Sequence, residues 1–135
     1  MEHLDRRTAL IGLAVACTAL PGRVAAQTSP ADGKEIFPGV RLVDHTTRDS
    51  MISAYKTVSM QDVIFQPGAV FPSTTMANDM VCHMLEGELA VTQGGSMEFA
   101  ARKGDVWSCS KGTTESAKNN GSTAAVMRVI NLLTA

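Results

Sequence analysis

The stretch from Thr74 to Leu89, TTMANDMVCHMLEGEL, sets four sulfur-bearing side chains, Met76, Met80, Cys82 and Met84, at even separations. On a β-strand such residues share one face, because successive side chains point to opposite sides. His83 then points the other way. Cys109 falls on a later strand-like run, and Thr74 and Glu115 are the polar residues that join the set. Three chemistries are open to it. Thioethers and thiols fill irregular cavities, and with Thr74 and Glu115 as sparse polar groups they would line a small-molecule pocket. Soft sulfur ligands select Cu(I), which would draw on Met76, Met80 and Cys82. A glutamate in an apolar cup can act as general acid or base, so Glu115 could carry a metal-free lyase or isomerase reaction, with Asp79 and Tyr55 as helpers. The residues name no reaction beyond this.

The elements that must position these residues begin after an N-terminal segment. Arg6 and Arg7 precede an apolar stretch from Ala9 to Leu20, and Val24-Ala25-Ala26 supplies small residues for cleavage. The apolar stretch is shorter than the ~20 residues a membrane-spanning helix needs. The sequence "DRRTAL" resembles a twin-arginine export signal, although Asp5 and Ala9 depart from its usual pattern. Residues 1–26 are therefore expected to be a signal peptide, and the mature chain to be periplasmic or secreted in a bacterium with no membrane span. After cleavage only His45 and His83 remain, too few for a three-histidine site. Cys82 and Cys109 remain as well; an oxidising compartment permits a disulfide, but the sequence does not give their separation.

Residues 27–35, QTSPADGKE, read as a flexible lead-in. From residue 36 to 135 short runs rich in Val, Ile, Met and Phe are separated by glycine turns. The expected strands are VRLV (40–43), YKTVSMQDVIFQ (55–66), VCHML (81–85), LAVTQ (89–93), MEFAA (97–101), VWSC (106–109) and TAAVMRVINLL (123–133). Gly94-Gly95 and NNGS (119–122) read as hairpin turns. No segment of the mature chain shows a long apolar pattern of helical period. The fold class is all-β, in one domain. A net charge of −1 and the lack of a basic run interleaved with aromatics argue against nucleic acid as a partner.

The glycine spacing is specific. From Gly68, five residues lead to Thr74, one more to Met76, three to Met80 and six to Gly87. From Gly104, five residues lead to Ser110, then come Gly112, Glu115 and Asn119. This resembles the two motifs of the cupin family, G-x5-H-x-H-x3-E-x6-G and G-x5-P-x-G-x2-H-x3-N. The resemblance implies a jelly-roll β-barrel and, by the family's habit, a homodimer and a metal held by three histidines and a glutamate. In this chain those four positions are Thr74, Met76, Met80 and Glu115, and none matches. Borderline and hard divalent ions want imidazole and carboxylate donors, so no cofactor is expected; copper on sulfur is the alternative. The expectation is an exported cupin-like barrel that keeps the scaffold, lacks the usual metal site and binds a small molecule in its lumen.

Overall fold

The computed structural model describes residues 28–135; the expected signal peptide and its cleavage site lie outside them. Ten strands follow in order: β1 (Lys34–Phe37), β2 (Val40–Asp49), β3 (Thr57–Phe65), β4 (Val70–Thr75), β5 (Asp79–Glu86), β6 (Glu88–Gln93), β7 (Met97–Arg102), β8 (Val106–Cys109), β9 (Thr114–Lys118) and β10 (Ala125–Leu133). They form a six-stranded sheet, β1-β2-β3-β10-β5-β8, and a four-stranded sheet, β4-β9-β6-β7. Every pairing is antiparallel. The jelly-roll-like expectation holds as two facing sheets. No ladder of hydrogen bonds joins the two sheets among the described residues. No helix long and apolar enough to cross a membrane occurs among them either.

Alternation builds the core. Along β10 the side chains of Met127, Val129 and Asn131 are buried on the inner face, while Arg128 and Ile130 are half-buried on the outer one. On β3, Val63 and Phe65 face the same interior, and on β6 Leu89 and Val91 close it from the other sheet. β10 pairs with β3 over nine residues, from Ala125 opposite Phe65 to Leu133 opposite Thr57, and with β5 on its other edge.

The four motif glycines, Gly68, Gly87, Gly104 and Gly112, all have positive φ. Gly87 shows why the residue type matters. It carries the chain from β5 in one sheet to β6 in the other, at φ 73°, and a Cβ there would sit 2.9 Å from Ala125 Cα and 3.0 Å from the Ala124 carbonyl oxygen. A side chain would meet backbone that cannot step aside.

Two expectations about turns divide. Gly94-Gly95 does join a hairpin, β6 to β7, closed by Gln93 opposite Met97. NNGS does not: β9 and β10 belong to different sheets, so residues 119–124 cross between layers. Asn119 fastens this crossing. Its Nδ2 donates to the carbonyls of Phe65 (3.0 Å) and Thr123 (2.9 Å), and its Oδ1 accepts from the Gly121 amide at 2.9 Å. The lead-in is also more structured than expected, because β1 starts at Lys34, inside residues 27–35. Thr28 Oγ1 donates to Asp62 at 2.6 Å, and Arg41 Nε donates to the Asp32 carbonyl at 2.9 Å, so polar contacts hold residues that apolar burial would not.

On the outer face of the larger sheet, Asp62 is fully buried. Arg128 grips it with Nε at 2.8 Å and NH2 at 3.0 Å, and His45 Nε2 lies 2.8 Å away. His45 is the extra residue of a bulge between Asp44 and Thr46 on β2, and the bulge turns it toward Asp62. Burial alone would raise the Asp62 carboxyl. The hydrogen bonds from Arg128, Thr28 and His45 outweigh that and hold it below the usual carboxylate range.

Candidate functional site

A cavity of about 220 Å³ lies between the sheets. Val63 and Phe65 of β3 and Met127 and Val129 of β10 form one wall; Phe71 of β4 and Ala117 of β9 form the other. Met76, Met80, Glu115, Gln61 and Asn131 complete the lining with Ile36 and Leu42. Inward positions recur at every second residue, so β3 and β10 each contribute two apolar side chains to the walls and β9 one, Ala117.

The residues anticipated from sequence divide within this space. Met76, Met80 and Glu115 line the cavity. Cys82, Met84 and Cys109 are buried in the adjoining core and do not line it. Thr74 stands directly across from Glu115 on β4, half-buried, but it is absent from the lining, and its Oγ1 donates to the Pro72 carbonyl at 2.8 Å. Strand alternation is as expected on β5: Cys82 and Met84 point inward, and His83 sits half-buried opposite Arg128 and Val106 on the outer face.

Glu115 is 5% exposed. On β9 it lies between Thr74 of β4 and Gln93 of β6. Gln93 Nε2 donates to Glu115 Oε2 at 2.8 Å and to the Ser108 carbonyl at 3.0 Å, which ties the carboxyl group to the facing sheet. Cys109 and Cys82 lie near it, one diagonal step apart on β8 and β5, since Cys109 pairs with Met80 and Cys82 with Trp107. Both thiols are free. Burial, then the negative charge of Glu115, raises both; Cys109 is pushed up to about 11 and Cys82 further. Neutral thiols are thus held beside a carboxylate.

Gln61, Asn131 and Gln93 were missed in the sequence reading. Asn131 Nδ2 donates to Gln61 Oε1 at 2.9 Å, and Gln61 Nε2 donates outward to Asp44 Oδ1 at 2.6 Å. The signal available for Asn131 was a lone amide at an inward position of the apolar run VINLL. Tyr55 and Asp79 do meet, Tyr55 OH donating to Oδ2 at 2.7 Å, while the Lys111 amide donates to Oδ1 at 2.8 Å. The Asp79 hydrogen bond raises the Tyr55 phenol, and the same bond, with that of the Lys111 amide, lowers the Asp79 carboxyl. Neither residue lines the cavity. They clamp the β2–β3 loop to the β8–β9 turn.

The donor set does not suit a divalent ion of the iron, manganese or nickel kind. Thr74 is turned to Pro72, Met76 and Met80 offer thioethers, and Glu115 is a single carboxylate. Among the described residues no three His, Cys, Asp or Glu side chains gather closely enough to hold a metal. For Cu(I), Cys82 would have to ionise against burial and the charge of Glu115.

The two-sheet architecture, the glycine corners and this cavity are those of a cupin. Residues 56–127 match the family model described as the EutQ-like cupin domain, and the chain belongs to that family. Solved structures agree at the level of fold. KdgF from Halomonas sp. superposes with a TM-score of 0.62 at 17% identity, over 75% of this chain and 86% of that one. The cupin domain of Schizosaccharomyces pombe Cnp3 gives 0.62 at 19% identity, over 82% and 75%. A protein designated ethanolamine utilization protein Q, from Salmonella typhimurium, gives 0.55 at 24% identity, over 73% and 77%. No curated protein matches the chain by sequence.

Proposed function

We propose that this chain binds a small, mainly apolar molecule in the cavity between its two sheets, and that it does so after export from the cytoplasm. One observation carries the binding reading: a cavity of about 220 Å³ with apolar walls keeps a carboxylate, Glu115, and an amide, Asn131, among its lining residues. An apolar space with few convergent polar groups is the usual form of a ligand site. An apolar cavity of about 150 Å³ already accepts benzene, so this one takes a substituted ring or a short branched chain. Export is supported by the Arg6-Arg7 pair, the short apolar run and the small residues at 24–26.

Thermal unfolding with benzyl alcohol as the probe tests the binding. A ligand that binds only the folded state stabilises it, by about 1.4 kcal/mol at ten times its Kd. The melting point of the wild type should climb with probe concentration. In Ala117→Leu the added branch points into the cavity, and the climb should vanish. A wild type that does not respond, or a variant that responds equally, would remove the cavity from the account.

A further inference from the structure

Among the described residues two carboxylates are fully or nearly fully buried, and they have different neighbours. Asp62 is met by Arg128 and His45. Glu115 is met by no Lys, Arg or His among the described residues. Among the described residues its one nitrogen donor is the amide of Gln93, on Oε2, and the uncharged thiol of Cys109 is its other hydrogen-bond neighbour. The neighbouring thiols of Cys82 and Cys109 are held in their neutral form and bring no positive charge. Among the described residues none that lines the cavity is cationic. A buried carboxylate without a cation is costly to a fold, and here it borders a space large enough for a molecule.

We infer that the ligand of this cavity is an organic cation, a primary ammonium carried on an apolar body about the size of a benzene ring, with the ammonium seated on Glu115. This rests on the reading that the cavity binds a small molecule. The ammonium supplies the opposite charge, and its N–H groups take the acceptor capacity that the Gln93 amide and the Cys109 thiol leave on the carboxylate. The sulfurs of Met76 and Met80 are polarizable neighbours for it. Val63, Phe65, Val129 and Met127 surround the apolar body. An anion would meet Glu115 with nothing positive to receive it. A neutral alcohol would satisfy one lone pair and leave the charge uncompensated.

Titration calorimetry near neutral pH with three probes of one shape separates these cases: benzylammonium, benzyl alcohol and benzoate. Benzylammonium should bind about tenfold more tightly than benzyl alcohol, the margin of one charge-assisted hydrogen bond, and benzoate should not bind. In Glu115→Gln, which keeps the side-chain shape, the two binding probes should become equivalent. The wild-type comparison decides the ligand class even if the variant folds poorly. Benzyl alcohol or benzoate binding as tightly as benzylammonium overturns the cation and leaves the cavity as a ligand site. An unchanged preference in a folded Glu115→Gln overturns the role of Glu115. No binding by any of the three overturns both this inference and the reading on which it rests.

Discussion

Gln93 and Glu115 face each other across β6 and β9, and the Gln93 amide donates to the Glu115 carboxyl group at 2.8 Å. The pair places a charge at the edge of an apolar space and gives it a neutral partner only. That is a poor arrangement for stability, since a lone buried charge keeps most of its desolvation cost. Glu115→Gln should therefore fold with an equal or higher melting point than the wild type, measured by calorimetry without ligand. A clear drop would mean that the carboxylate holds the fold together rather than serving a ligand.

Asn119 is the residue that closes the second cupin motif, and its contacts are structural. Three hydrogen bonds join it to Phe65, Thr123 and Gly121. Asn119→Ala leaves buried backbone groups without partners and should cost about 3 kcal/mol in denaturant unfolding. A loss under about 1 kcal/mol would show that water or a relaxed loop replaces those bonds.

Acid stability should depend on Asp62. Its carboxyl is held below the usual range, so its contribution is fully present above the unfolded value of about 3.9. It is lost as the pH falls through the lower, folded value. Asp62→Asn should lose about 2 kcal/mol at neutral pH, discounted for the partly exposed Arg128. The gap should begin to shrink as the pH falls below about 4 and close only below the lowered, folded value. A constant gap at all pH values would assign the effect to packing instead of charge.

Intact mass of the mature protein recovered from a bacterial periplasm should correspond to a chain that begins at Gln27 or within a few residues of it. The Arg6-Arg7 pair, the apolar run to Leu20 and Val24-Ala25-Ala26 motivate this. A full-length species would contradict it.

Much of the fold was readable because backbone geometry leaves a mark on sequence. Gly68, Gly87, Gly104 and Gly112 stand where φ is positive, and the spacing between them carried the family resemblance. The strands that escaped notice are β1, β4 and β9. VFPSTT contains Pro72, which an edge strand tolerates and a central one does not. TESAK has little intrinsic strand preference; its pairing with β4 and β6 and the inward burial of Glu115 and Ala117 make it one. Motif spacing brought Met76, Met80 and Glu115 to the cavity, while alternation along β5 turned Cys82 and Met84 inward, into the adjoining core rather than the lining. Gln61 and Gln93 enter through contacts between strands far apart in sequence, which no local pattern reveals, and Asn131 left only the mark of a lone amide in VINLL. Thr74 shows the converse: motif spacing grouped it with Glu115, and the pairing of β4 with β9 sets the two opposite each other, but its hydroxyl turns to Pro72.

The cavity itself is tested most directly by following the methyl resonances of isotope-labelled methionines during a titration with benzylammonium. Met76, Met80 and Met127 line the cavity, while Met51 and Met97 are exposed elsewhere. The account predicts saturable shifts at Met76, Met80 and Met127, none at Met51 or Met97, and no saturable shifts in Ala117→Leu. Shifts confined to the exposed methionines, or the same response in wild type and variant, would contradict it.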